Sequence, residues 1–252
     1  MKNKKHYFQT SKKKQLYYTE IKSSNKAAVV FLHGLMSDIS GKKVKYFKNL
    51  CKKNKINFLA FDYSGHGKSS DTFEHNGIDD WINEAKEIIK KKLNNKKLII
   101  MGSSCGGWVG AKLIWSIKSQ IKGYIGIAAA PDFTKYLMWD TFSKKAKKII
   151  QSGNIYKLKN EYDGFYPIGK PLINGGKKHL ILNKKIKCNF PIRLFHGKKD
   201  TVVPYEYSFK LSKTLISNDC IIILQEKGDH SLSETNDLKK IGNELLSIIK
   251  NT

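Results

Sequence analysis

The chain has 252 residues, 40% of them hydrophobic and 11% aromatic, with 47 Lys and Arg against 21 Asp and Glu, a formal net charge of +26. That length suits a single α/β core, the composition is globular, and no apolar run approaches the roughly 18 residues that a membrane span needs. The charge does not point to nucleic acid: Arg193 is the one arginine, whereas arginine is the side chain suited to bidentate phosphate and base contacts. The lysines are spread along the chain rather than gathered in a stripe, and the A/T-rich codons that Lys shares with Asn and Ile account for the excess.

In chain order, the opening MKNKKHYFQTSKKKQLYY is basic but has neither the apolar segment of a secretory signal nor the arginines of a transit peptide, so the expected location is cytoplasmic. KQLYYTEIKS (14–23) predicts a strand, KAAVVFLHG (26–34) a buried one and NFLAFDYSG (57–65) a third. GIDDWINEAKEIIKKKL (77–93) then sets Ile78, Trp81, Ile82, Ala85, Ile88, Ile89 and Leu93 on one helical face, with acids early and lysines late along the dipole. KLIIMG (97–102) predicts a strand that runs straight into a nearly all-apolar helix, CGGWVGAKLIWSI. IKGYIGIAAA (121–130), PIRLFHG (191–197) and CIIILQEKG (220–228) complete the strands, and residues 237–250 close with an amphipathic helix. Continuous apolar strands separated by helices imply a mainly parallel sheet covered on both faces. Cys51, Cys105, Cys188 and Cys220 form no C-x-x-C pair, so reduced thiols are expected, with no zinc site and no disulfide framework.

The junction at 102–106 reads Gly-Ser-Ser-Cys-Gly, a Gly-x-Ser-x-Gly where a strand ends and a helix begins. A sharp turn there holds its central residue in strained geometry, and only glycine clears the flanking positions. Ser104 has glycine two residues away on both sides. Cys105 has Ser103 at that position, so the turn presents the hydroxyl of Ser104 rather than the thiol. Gly107 and Gly110 let the following helix lie close to the sheet.

Serine needs a general base oriented by an acid, and for a nucleophile on such a turn these follow in the order acid, then His, each on a loop after a late strand. Asp200, in LFHGKKDTVVP, and His230, in QEKGDHSLS, hold those positions. Asp132, in AAAPDF, is the rival acid, and Asp229 is read as structural. The developing oxyanion needs two backbone donors, assigned to the N–H groups of Cys105 and of Leu35 in FLHGLMSD. His33 and His196, both in His-Gly pairs, are read as packing and orienting residues. DYSGHGKSS, around His66, lacks the spacing of a phosphate loop and is read as a tight turn.

Together FLHGL, FDYSGHGKSS, GSSCGGW, LFHGKKDTVVP and GDHSLS resemble the α/β-hydrolase superfamily over nearly the whole chain. FLHGLMSDISGKK, IGIAAAPDF and CNFPIRLFHGKKDTVVP are similar to its branch of mitochondrial palmitoyl-protein thioesterase and acyl-glucuronide esterase. The resemblance implies an eight-stranded, mainly parallel sheet with an antiparallel second strand, a Ser104, Asp200 and His230 triad, no metal and no organic cofactor. It also implies hydrolysis of esters or thioesters. The chain departs from the family in having Cys105 where an apolar residue follows the serine. Residues 131–187, with the helical TFSKKAKKIIQSG, are the counterpart of the family's lid insertion. In that helix Phe142, Ala146, Ile149 and Ile150 make a face expected to pack on the core. Tyr162, Phe165, Tyr166 and Leu172 are candidates for substrate contact. The expected substrate carries an apolar acyl group, and a peptidase or amidase on the same residues is the second reading.

Overall fold

A computed structural model of the chain describes residues 6–160 and 164–251. The described residues form twelve strands and seven α-helices. β1 (Tyr7–Gln9), β2 (Gln15–Ile21) and β3 (Ala27–Leu32) precede α1 (Lys42–Lys53); β4 (Asn57–Phe61) leads to α2 (Ile78–Lys92). β5 (Lys97–Ser103) runs into α3 (Cys105–Ile117), and β6 (Ile121–Ile127) into a π-helical turn, Thr134–Trp139. α4 (Lys144–Gln151), β7 (Tyr156–Lys159), β8 (Phe165–Ile168), α5 (Lys170–Lys178) and β9 (Ile186–Lys187) follow. β10 (Ile192–Gly197), α6 (Glu206–Thr214), β11 (Leu215–Ile216), β12 (Cys220–Gln225) and α7 (Thr235–Lys250) finish the chain.

Eight strands form one sheet in the order β1-β2-β4-β3-β5-β6-β10-β12. β2 is antiparallel to both β1 and β4, and the pairs from β4 to β12 are parallel. This is the α/β-hydrolase fold. β3 is buried at all six positions because helices cover both faces, and its side chains divide by the two-residue period of a strand. Ala28, Val30 and Leu32 pack towards α2 and α3 with Trp81 and Trp108, while Ala27, Val29 and Phe31 pack towards α1 and α7 with Phe47 and Ile241.

Four elements of this layout differ from the sequence-based expectation. β1 is a three-residue edge strand, too short to show a period. α1 buries Val44, Phe47 and Cys51 beneath a lysine-rich exterior that hides its stripe, and α6 buries Tyr207 and Leu211 in one short helix. The expected strand at 57–65 stops at Phe61, because Asp62 then accepts hydrogen bonds from Ile39 N–H at 2.7 Å and Lys68 N–H at 2.9 Å and organises a turn.

Between β6 and β10, α4 buries Ala146 and Ile150, and Phe142 before it is also buried; Ile149 is half-buried. β7 and β8 form an antiparallel hairpin that pairs Leu158 with Tyr166. α5 is tied to α2 by His179 and Asp79, 2.6 Å apart, and to α3 by the Trp108 indole N–H, which donates to the His179 carbonyl at 3.1 Å.

Candidate active site

In a parallel sheet all strand carboxyl ends lie on one edge, and loops leaving neighbouring strands there converge. The loops after β3, β5, β10 and β12 bring Leu35, Ser104, Asp200 and His230 together on that edge.

Ser104 is the residue between β5 and α3, with φ 53° and ψ −120°, a conformation that costs a non-glycine residue about 1–3 kcal/mol. The surroundings impose it. Ser104 N–H donates to the Ile127 carbonyl at 2.9 Å, and the Ser104 carbonyl accepts from Gly107 N–H at 2.9 Å and Ala130 N–H at 3.1 Å. A side chain on Gly102 would strike the Gly106 carbonyl, and one on Gly106 would strike the carbonyls of Leu32 and His33. The turn therefore exists only with glycine at both positions.

The Ser104 hydroxyl lies 3.0 Å from His230 Nε2, and His230 Nδ1 lies 2.7 Å from Asp200 Oδ2. The Asp200 side chain is wholly buried. Its Oδ1 accepts from Val202 N–H at 2.9 Å and Val203 N–H at 2.8 Å, and Oδ2 also meets His196 Nε2 at 3.0 Å. Burial alone would push its carboxyl up, but the hydrogen bonds with His196 and His230 outweigh that and hold it well below the usual carboxylate range. Asp200 is thus an anion at neutral pH, and it fixes the proton of His230 on Nδ1, leaving Nε2 as an acceptor for the serine proton.

The N–H groups of Leu35 and Cys105 have no hydrogen-bond partner among the described residues, and both residues line the same cavity as Ser104 and His230. The Leu35 loop is set by His33. Its Nδ1 lies 2.8 Å from the Gly34 carbonyl, and its Nε2 faces Tyr63 N–H at 3.4 Å, so the neutral ring donates from Nδ1 and accepts at Nε2. Burial first, and then neighbouring His66, push His33 down to about 3, which keeps it neutral. Cys105 is buried and its thiol is pushed up by burial, so it stays protonated and is a poor nucleophile beside Ser104.

Asp132 does not reach His230. It sits at φ 58° with its carboxylate accepting from Ile181 N–H at 2.8 Å and Leu182 N–H at 2.9 Å, where it clasps the two ends of the segment between β6 and β10. Asp229 caps its own loop through Ser231 N–H at 3.0 Å and Leu232 N–H at 2.9 Å. His66 packs in a turn among Tyr63, Phe73 and Trp81, with positive φ at Gly65 and Gly67. One neighbour of the site escaped the sequence reading. Lys43 on α1 donates to the Ser231 carbonyl and, at 3.2 Å, to Ser233 Oγ, bracing the His230 loop from 188 positions away. Its pKa is pushed by burial down to about 8, against the pull of Asp229 and Asp237. His196, read from its His-Gly pair as packing and orienting its loop, lies against Asp200, with Nε2 3.0 Å from Oδ2.

Ser104 opens on a cavity of about 800 Å³. Its lining includes apolar Ala130, Phe133, Leu137, Met138 and Leu158 with Tyr166, and also polar or charged Ser37, Asp38, Lys42, Lys43 and Glu234. Of the proposed substrate-contact residues, Tyr166 lines the cavity, Leu172 is buried and Phe165 is 56% exposed, while Tyr162 lies outside the described residues. Among the described residues no cluster of three or more His, Cys, Asp and Glu is placed to hold a metal ion, and no helix is long and apolar enough to cross a membrane.

A strained serine on a strand-to-helix turn of an α/β-hydrolase sheet defines a serine hydrolase. The chain belongs to the Hydrolase_4 family, described as serine aminopeptidase, S33, whose model matches residues 23–162. It is 28% identical over 225 residues to the mitochondrial palmitoyl-protein thioesterase ABHD10 of Rattus norvegicus, covering 88% of this chain and 75% of the relative. It is 27% identical to the Homo sapiens protein of that name, over 89% and 73%. A putative hydrolase from Agrobacterium vitis S4 superposes with a TM-score of 0.92 at 26% identity, covering 98% of each chain. Mouse alpha/beta hydrolase domain-containing protein 10 superposes at 0.87 and 25%, covering 98% of this chain and 99% of the other.

Proposed function

We propose that the protein hydrolyses carboxylic esters or thioesters with an apolar acyl group through a Ser104, His230 and Asp200 triad. The observation that carries this is the unbroken run from Ser104 Oγ to His230 Nε2 at 3.0 Å and on to Asp200 at 2.7 Å, beside a cavity whose lining includes Ala130, Phe133, Leu137, Met138 and Leu158. Ser104 Oγ attacks the acyl carbon as His230 Nε2 takes its proton, and the carbonyl oxygen becomes an oxyanion that accepts from Leu35 and Cys105 N–H. The imidazolium gives that proton to the departing alcohol or thiol, which leaves an acyl-serine. Water, deprotonated by the same nitrogen, then cleaves the acyl-serine to the carboxylic acid and free Ser104. The segment between β6 and β10 is assigned as a lid, a role supported by its supply of Phe133, Leu137, Met138, Leu158 and Tyr166 to the acyl wall. The relatives' name, palmitoyl-protein thioesterase, agrees with this choice of bond.

The family description favours a second reading, an aminopeptidase. Asp38 and Glu234 on the cavity lining are candidates to receive a substrate ammonium, although Lys42 and Lys43 on the same lining oppose it. The deciding experiment is a panel of p-nitrophenyl esters of rising chain length, acyl thioesters and matched anilides. An amide nitrogen must be protonated to leave, so esters and thioesters should exceed anilides in kcat/KM by about a hundredfold or more. Equal turnover of anilides would establish the peptidase instead. A cytoplasmic site of action belongs to the same proposal, supported by four unpaired thiols suited to a reducing compartment. Fractionation against mitochondria tests it.

A further inference from the structure

Asp200 is met by two imidazoles, and the mechanism above uses one. His196, on β10, is completely buried, with Nε2 3.0 Å from Asp200 Oδ2 and 2.9 Å from the Val203 carbonyl. Both of those oxygens are acceptors, so Nε2 carries a proton and donates it. In the neutral ring Nδ1 is then the acceptor for the Ser208 hydroxyl, 2.8 Å away on α6. Asp200 consequently has four donors on two oxygens: His196 and His230 on Oδ2, Val202 and Val203 on Oδ1. A carboxylate so occupied, with no exposed surface, is fixed in one rotamer.

We propose that His196 is a positioning residue for the hydrolytic reaction: its Nε2–H holds Asp200 in the rotamer that presents Oδ2 to His230 and withdraws part of the negative charge that His230 faces. The proposal rests on the triad reading above. A carboxylate shared between two N–H donors stabilises the His230 imidazolium less than one aimed at His230 alone. Few other charges compete in this role. The neighbours of His196 on the flanking strands are apolar, with Leu224 opposite on β12 and Ala128 N–H on the Phe195 carbonyl beside β6, and α6 contributes uncharged Ser208. Around His230, the Lys43 ammonium is bound to Ser231 and Ser233, and Asp229 is engaged by the N–H groups of Ser231 and Leu232.

The test is the pH profile of kcat/KM for p-nitrophenyl butyrate in the wild type, His196→Leu, His196→Gln and Ser208→Ala. His196→Leu should lower kcat about tenfold or more with little change in KM, and move the acid limb up by about half a pH unit or more. His196→Gln offers an amide N–H in place of Nε2–H and should return the limb towards the wild-type position. A role in packing alone would lower activity or stability without moving the limb, so an unmoved limb in His196→Leu overturns the proposal, as does the same shift in His196→Gln. Should His196→Leu fail to fold by circular dichroism, Ser208→Ala decides, because it frees the ring's other nitrogen: a smaller shift in the same direction supports the proposal and a wild-type limb overturns it. Fluorophosphonate labelling keeps the two claims apart. A wild-type protein that forms no adduct on Ser104 defeats the triad reading, whereas full labelling with an unmoved limb defeats the role of His196 alone.

Discussion

Replacing Asp200 by Asn alters one atom in a site with no room to adapt. Asn keeps an oxygen for the N–H groups of Val202 and Val203, which lie 2.9 and 2.8 Å from Oδ1, and so places its amide group where Oδ2 receives His196 and His230. Two donors then face each other. His230 relieves the conflict by moving its proton to Nε2, the nitrogen 3.0 Å from Ser104 Oγ, and in that tautomer it cannot take the serine proton. The expected loss in kcat is about 10³–10⁴-fold, or roughly 4–5.5 kcal/mol of barrier. Asp132→Asn is the control. It weakens the clasp on Ile181 and Leu182 at a cost of about 1–3 kcal/mol in stability, but leaves the tautomer of His230 untouched, so kcat should change by no more than a few-fold. The assay is ester hydrolysis under saturating substrate at pH 7.5, with urea unfolding of both variants to separate folding from chemistry. A large kcat loss in Asp132→Asn with a small one in Asp200→Asn would refute the assignment of the acid.

Ser104→Ala should abolish fluorophosphonate labelling and lower kcat by several orders of magnitude, while Cys105→Ala should keep most activity, since it retains the backbone N–H; an adduct on Cys105 would contradict this. Burial holds His33 near 3, with His66 adding to that push, and holds His66 near 4, so the unfolded chain takes up protons at about pH 6.5 that the folded one refuses. Stability is therefore complete above about pH 7 and declines below 6.5, by on the order of 4 kcal/mol at pH 5 for the two rings together. Urea titrations at pH 7.5 and 5 measure this. His66→Phe, placed among Tyr63, Phe73 and Trp81, should remove about half of the difference; an unchanged slope would show that these rings do not govern acid sensitivity.

What could be read from the chain alone follows from how local each signal is. β3, β5 and β6 were visible because a strand covered on both faces is apolar throughout. The turn at Ser104 was visible because its steric demand falls on glycines two residues away. By contrast, the brace of Lys43 on Ser231 joins residues 188 apart and leaves no trace in either stretch. α1 was hidden because its lysines outnumber the three residues it buries.

Asp132 marks the boundary between the two kinds of information most sharply. It follows β6, which lies between β5, the strand that leads to Ser104, and β10, the strand that leads to Asp200. Motif order and strand order both admit it as the acid, and its sequence neighbourhood, Ala-Ala-Ala-Pro-Asp-Phe, says nothing against that. Its competitor differs in what surrounds it. The oxygens of Asp132 are claimed by Ile181 and Leu182, N–H donors that arrive 49 and 50 residues later, and its pKa is raised by burial despite them. Asp200 has two N–H donors on one oxygen and two imidazoles on the other, so the same burial leaves it ionised. An acid that orients a base must have that base within hydrogen-bond reach, and the partners of Asp132 are the two N–H groups of the clasp rather than an imidazole. In the proposed triad the choice between the two aspartates thus rests on the partners that the return of the segment between β6 and β10 and the loop after β10 deliver to each.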